Sequence, residues 1–175
     1  MKVSMYEMSV GSFVPMLESL SQLLDKGAEH AATAKLDLVN ARLAPDMFTL
    51  AQQVWQACHH AKDGVARLTG KGGTAMDNVE TDFAGLKAQI ARALDVVRSA
   101  SAAAFEGAED RDCSIEIPDN LVVHMNGLQL LRSWSLPHFY FHVVTAYDIL
   151  RHHGVEIGKK DYLSQVVGWI RPKKE

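Results

Sequence analysis

Apolar residues recur three and four positions apart over most of this 175-residue chain, and this spacing is the strongest constraint on its fold. Because an α-helix completes a turn every 3.6 residues, such residues share one face that must be buried against other helices. The pattern is clearest between residues 47 and 68, where the apolar positions are Met47, Leu50, Val54, Ala57, Cys58, Ala61, Val65 and Leu68. Three further segments share this spacing, so the sequence predicts four long helices packed as a bundle.

The first predicted helix has recognisable signals at both ends. Ser4-x-x-Glu7 is typical of a capping box at a helix start, and Gly27 is expected to end the helix. Pro15 lies inside this segment, and proline lacks an N–H and crowds the carbonyl four residues earlier. We therefore expect a kink at Pro15 or a helix that starts there. Residues 28–45 form a long connection to the second helix.

The period of the apolar pattern changes after the third helix. Asp77, with Glu80 three residues later, is expected to cap that helix, which frays after Ser99. Apolar and polar residues then alternate in 113–117 and 121–125, on either side of Pro118-Asp119-Asn120. Alternation around a turn signal predicts a small β-hairpin. An isolated hairpin has little stability, so this one must pack on the helices.

The last long helix is predicted from residue 126 to residue 153, with Gly154 after its end and a kink at Pro137. A short amphipathic segment, residues 160–169, either covers the end of the bundle or contacts a second subunit. These features together predict an all-α, up-and-down four-helix bundle with a small β-hairpin before the last long helix. The length suggests a single four-helix-bundle domain spanning 1–175.

The charge balance excludes several classes of function. The net charge is −3, whereas a nucleic-acid surface needs concentrated Lys and Arg, so no nucleic-acid partner is expected. The basic C-terminal cluster, Arg171, Lys173 and Lys174, is expected to be solvated. The N-terminus has no uninterrupted apolar region typical of a secretion signal, and no apolar run approaches the ~18 residues of a membrane span. We therefore expect a cytoplasmic protein with no membrane partner, in which Cys58 and Cys113 are buried thiols.

Two histidines in the last helix are the strongest candidates for a functional site. His138 and His142 are four residues apart, so both lie on one helix face, in line with the apolar residues Ala146 and Ile149. An inward imidazole needs partners for its nitrogens. Each histidine either forms its own hydrogen bond as a core residue, or both share one metal ion, as paired histidines four apart do in HExxH motifs.

A third nitrogen ligand from another helix would complete an open metal site with room for water or substrate. The second helix offers His59 and His60. Counting about 100° per residue, His60 lies at the edge of the apolar face and is the better candidate. His59 falls on the polar side with Gln52, Gln56 and Lys62. The alternative for His60 is an exposed histidine with no ligand role. The predicted metal ligands are His60, His138 and His142, with no catalytic residue assigned.

Three segments resemble a known family. Residues 40–47 (NARLAPDM), 136–142 (LPHFYFH) and 146–152 (AYDILRH) resemble an uncharacterised, mainly bacterial branch of the DinB/YfiT-like superfamily, over nearly the whole chain. The resemblance implies a four-helix bundle, often dimeric, with a three-histidine site for zinc or nickel. By position, those ligands correspond to His60, His138 and His142. Some members of the superfamily are thiol-dependent transferases or isomerases, and many have no assigned reaction.

Two functions follow from the residues and the resemblance. The first is a divalent-metal-dependent enzyme, of the thiol-dependent transferase or hydrolase type, acting on a small molecule. In that case zinc or nickel lowers the pKa of a bound water or thiol. The alternative is a metal-free, non-catalytic dimeric bundle or small-ligand-binding protein. The apolar residues of segment 160–169 and the resemblance both predict a homodimer.

Overall fold

The computed structural model describes residues 3–171, so Lys173 and Lys174 of the basic C-terminal cluster lie outside the described residues. The helices are α1 (Met5–Ala34), α2 (Leu50–Leu68), α3 (Phe83–Arg98), α4 (Gly127–Leu130), α5 (Leu136–His152) and α6 (Lys159–Tyr162). The strands are β1 (Ile115–Ile117) and β2 (Leu121–Val123), and short 3-10 helices span Ala102–Phe105, Ala108–Asp110 and Ser164–Trp169. The long helices α1, α2, α3 and α5 form the predicted bundle, which confirms the fold class.

The core of the bundle lies where the apolar faces of the four long helices meet. Phe13 of α1 and Phe139 of α5 are fully buried and contact each other edge to face, with ring centroids 4.9 Å apart. Val54 of α2 and Ile90 of α3 are buried in the same core. Within residues 3–171, none of the helices combines the length and apolar composition that crossing a membrane requires.

Helix α1 starts as predicted but ends later. Ser4 and Glu7 form the capping box, whereas the helix continues past Gly27 to Ala34 and ends at Lys35, which has a left-handed φ of 55°. The prediction that Gly27 ends the helix is wrong, because Gly27 has a packing role. A Cβ atom at Gly27 would lie only 2.8 Å from Cδ2 of Leu150. The absent side chain therefore lets α1 approach α5 closely.

Helix α3 begins five residues later than predicted, at a different cap. The Asp82 side chain accepts a hydrogen bond from the Gly85 amide at 2.7 Å, so Asp82, and not Asp77, is the N-cap. Asp77 instead forms an ion pair with Lys62 of α2, and its carbonyl accepts a hydrogen bond from Nε1 of Trp55 at 2.6 Å. The connection between α2 and α3 is therefore held along the side of α2.

The hairpin forms in the predicted place, with Ile115 opposite Val123 and Ile117 opposite Leu121. Later in the chain, a π-helical turn, Leu131–Ser135, lies between α4 and α5, where the kink at Pro137 was predicted. The Leu136 amide donates to the Leu131 carbonyl, five residues back. A wider turn directly ahead of Pro137 relieves the contact between a proline ring and the preceding turn.

The two cysteines are free and buried, and burial raises the pKa of both thiols, that of Cys58 to about 12. Because the thiolate is the reactive form, we expect neither cysteine to react with a thiol reagent at pH 8 in the native protein. Both should react within seconds after unfolding in guanidinium chloride. Rapid labelling of the native protein would contradict this prediction.

The pKa of Cys58 is higher in the folded state than in the unfolded state. The contribution of the neutral thiol to stability is therefore lost as the pH rises above the unfolded value of about 8.5.

Candidate metal centre

Three imidazoles from two helices meet where α2 packs against α5. His60 comes from α2, and His138 and His142 come from α5. The ring centroid of His60 lies 4.6 Å from that of His138 and 5.6 Å from that of His142. One ring nitrogen from each histidine lies within 4.8 Å of the other two. Zn–N distances are about 2.0–2.1 Å, so the three nitrogens would draw closer together around one bound divalent ion. The structure thus brings together His60, His138 and His142, the three ligands predicted from the sequence.

Close helix packing next to the histidines sets this geometry. Gly64 lies one turn after His60 in α2, and a Cβ atom there would be 3.0 Å from Oγ of Ser135 in the π-helical turn. Ser135 lies directly before α5, one turn ahead of His138. The absent side chain at Gly64 therefore lets the backbone of α2 approach the start of α5 closely, which brings His60 to the two α5 histidines.

A buried glutamine fixes the orientation of His142, which is itself only 6% exposed. Nδ1 of His142 lies 2.7 Å from Oε1 of Gln53, and Nε2 of Gln53 donates to the Phe48 carbonyl at 3.4 Å. Because the Gln53 oxygen faces the ring, Nδ1 of His142 carries the proton and Nε2 keeps its lone pair for the cluster. This arrangement is the usual support for a metal-binding histidine.

Sequence reasoning missed Gln53. It precedes His60 by seven residues, which is two helical turns, so the two side chains share a face of α2. Gln53 also lies next to Val54 of the apolar face, and it is 1% exposed. The sequence did contain a signal for Gln53. It is a polar residue at the edge of a predicted buried face, and it lies in line with the candidate ligand His60.

The cluster disfavours protonation of its own imidazoles. Burial, together with the neighbouring His138, lowers the pKa of His142 to about 4. Burial, together with His138, His142 and His59, lowers the pKa of His60 to about 3, and burial also lowers the pKa of His138. All three rings are therefore neutral at pH 7. A metal binds histidine only in this neutral form, so the site needs no deprotonation before binding.

His59 lies beside the cluster and not within it. Its ring centroid is 5.5 Å from that of His60, and its Nδ1 is buried with no hydrogen-bond partner among residues 3–171. The alternative of an exposed histidine in α2 is wrong, because His59 and His60 are both partly buried. The connection between α2 and α3 covers this side of α2, and Lys62 is only 9% exposed where it pairs with Asp77.

The three histidines open into a surface cleft of about 920 Å³. Its walls come from α2, the connections before and after α2, the hairpin turn, the π-helical turn and α5. The lining residues are Phe48, Gln56, His59, His60, Met76, Pro118, Ser133, Trp134, Pro137, His138, Phe141 and His142. An ion held by three histidines would keep an open coordination position that a small molecule reaches through this cleft.

Comparisons with known proteins agree with this architecture. A family model described as a domain of unknown function (DUF1993) matches residues 5–163. The crystal structure of a DinB family member protein from Shewanella denitrificans aligns with a TM-score of 0.83 and 39% sequence identity, covering 97% of this chain and 94% of that chain. No curated protein gives a significant match. Residues 5–163 include all of α2 and α5, and so the three histidines.

Proposed function

Because this chain belongs to the DUF1993 family and has a DinB-like fold, we propose that it binds one divalent metal ion through His60, His138 and His142. The observation that carries the proposal is the convergence of three neutral imidazole nitrogens within 4.8 Å of one another. The hydrogen bond from His142 to Gln53 supports it, because it directs the free nitrogen of that ring toward the cluster. Imidazole ligands suit zinc and nickel, so we propose one of these two metals.

We further propose that the metal centre is that of an enzyme, either a thiol-dependent transferase or a hydrolase acting on a small molecule. A divalent ion supplies Lewis acidity that makes a water or thiol nucleophilic near pH 7. His60, His138 and His142 would hold the ion, Gln53 orients His142, and the apolar walls of the cleft lie next to them. The open cleft next to the cluster is the place where such a substrate would bind.

Titration with Co²⁺ of protein purified without a histidine tag tests the proposal. We expect one equivalent of Co²⁺ to bind at micromolar concentration and to give visible absorption bands typical of nitrogen-coordinated cobalt, which one equivalent of zinc displaces. Elemental analysis of the purified protein identifies the resident metal. A protein that binds none of these ions above background would overturn the proposal. The alternative function, a metal-free small-ligand-binding protein, would then remain, because the cleft of about 920 Å³ needs no metal to form.

Replacing Gln53 by methionine is expected to weaken metal binding by about 10- to 100-fold. Methionine has a similar volume but removes the acceptor of the Nδ1–H of His142, so that ring loses its fixed orientation. Gln53→Glu keeps an acceptor oxygen and is expected to retain metal affinity. The measurement is the Co²⁺ dissociation constant of each variant, compared with its thermal stability in EDTA. If both variants lose stability alike and keep the affinity of the native protein, Gln53 has a packing role only.

The homodimer stays a prediction, and we propose that the C-terminal segment mediates it. Segment 160–169 contacts α1 through a hydrogen bond between Oγ of Ser19 and Oγ of Ser164, which lie 2.7 Å apart. Beyond that contact, Val167, Trp169 and Ile170 are between 58% and 73% exposed. We expect sedimentation to show a dimer at about 20 µM, and we expect Trp169→Ser to shift the protein to monomer. A native protein that is monomeric at that concentration would contradict the prediction.

A further inference from the structure

We propose that the cleft in front of the three histidines selects a small molecule with an uncharged, apolar body that reaches the metal through a single donor atom. This inference rests on the proposed function, since the metal ion anchors the donor atom. The residues of the cleft walls, and not the histidines, indicate the chemical class of the ligand.

Large apolar side chains from separate parts of the chain converge on this cleft. Phe48 comes from the connection before α2, Met76 from the connection after α2, and Phe141 from α5. They are 41%, 47% and 57% exposed, values high for side chains of this size. Trp134 adds a further wall, with its ring centroid 4.7 Å from that of His138. Clustered exposed apolar surface next to polar groups that could anchor a ligand is typical of a binding site.

The described residues that line the cleft include no acidic or basic side chain other than histidine. Within the described part of the chain, the cleft lining includes no Asp, Glu, Lys or Arg, and its polar members outside the histidines are the neutral Gln56 and Ser133. Asp77 follows Met76 in sequence, but its carboxylate is paired with Lys62. A phosphate or carboxylate on the body of a ligand would lose its hydration without gaining a counter-charge from these walls. The cleft is therefore unsuited to phosphorylated or acidic substrates.

Three probes that share one donor ring and differ in the attached group test this selectivity. The probes are imidazole, 4-phenylimidazole and imidazole-4-acetate, each titrated into Co²⁺-loaded protein at pH 8 while the cobalt absorption and tryptophan fluorescence are recorded. We expect 4-phenylimidazole to bind about tenfold or more tightly than imidazole, because its phenyl group is buried against the cleft walls. We expect imidazole-4-acetate to bind no more tightly than imidazole.

A matched pair of variants locates the effect. Met76→Ser is expected to reduce the advantage of 4-phenylimidazole over imidazole by about threefold or more. Val96→Ser, which changes a 44% exposed residue of α3 outside the cleft, is expected to alter neither affinity.

The possible outcomes separate the two proposals. If cobalt binds and 4-phenylimidazole has no advantage, or imidazole-4-acetate binds more tightly, the selectivity is overturned and the metal site stands. If Met76→Ser leaves the advantage intact, the assigned walls are wrong and the inference is overturned as well. If no cobalt spectrum develops, the metal site fails and this inference fails with it.

Discussion

Replacing His142 by alanine is expected to lower metal affinity by about 100-fold or more, so that binding is lost at micromolar concentration. Three protein nitrogens are the minimum set of an open divalent-metal site, and this change removes one of them. It also removes the ligand whose free nitrogen is directed by Gln53. The measurement is the Co²⁺ titration, with the absorption bands and the stoichiometry recorded for native protein and variant.

The third histidine of α5, His152, provides the matched control. His152 lies at the exposed end of the helix, outside the cluster, so His152→Ala removes an imidazole without touching the site. We expect this variant to bind one equivalent of metal with native affinity. If His142→Ala and His152→Ala have equal affinities, the metal binds elsewhere and the assignment of the cluster is wrong.

Replacing Gly127 by alanine is expected to destabilise the protein by about 3 kcal/mol, and to lower its Tm by about 6–12 °C. A Cβ atom at this position would lie 1.8 Å from the carbonyl oxygen of Ala108 and 3.0 Å from Cδ2 of Leu68. Ala108 is fully buried, so its backbone cannot move away without disturbing the core. Gly127 is the first residue of α4, and the helical segment that leads to His138 and His142 begins there.

Gly11 provides the opposite case in the same chain. It lies on the exposed side of α1, and within residues 3–171 a Cβ atom there would have no heavy atom within 4 Å beyond its chain neighbours and the adjoining helix backbone. Gly11→Ala is therefore expected to stabilise the protein by about 0.5–1 kcal/mol, because alanine favours helix more than glycine does. Chemical denaturation of both variants measures the difference. If Gly127→Ala is as stable as the native protein, the close approach of α4 to Ala108 is not a constraint on the fold.

The sequence predicted those features that depend on residues close together along the chain. Periodicity predicted the four long helices, alternation around Pro118 predicted the hairpin, and the four-residue spacing placed His138 and His142 on one helix face. Helix ends were predicted less well. Gly27 and Asp77 carry the usual signals of a helix end and a helix start, yet each has a packing or pairing role that the signal does not distinguish.

The assignment of the second-helix histidine shows the same limit. His59 and His60 are adjacent, so helical geometry separates them by only about 100° and places both off the centre of the apolar face, with His60 the nearer to it. The structure resolves the choice through two contacts. The connection held by Lys62 and Asp77 covers the side of His59, and the close approach at Gly64 and Ser135 brings His60 to α5.

The sequence by itself determined which residues share a helix face, because that is a local property of a repeating backbone geometry. Only the tertiary structure decided that α2 and α5 meet with three imidazole nitrogens together, that Gln53 supports His142, and that distant apolar residues form one cleft. These features depend on how closely two helices approach and what covers them. Such distances are set by side-chain packing between segments far apart in the chain, which local periodicity does not encode.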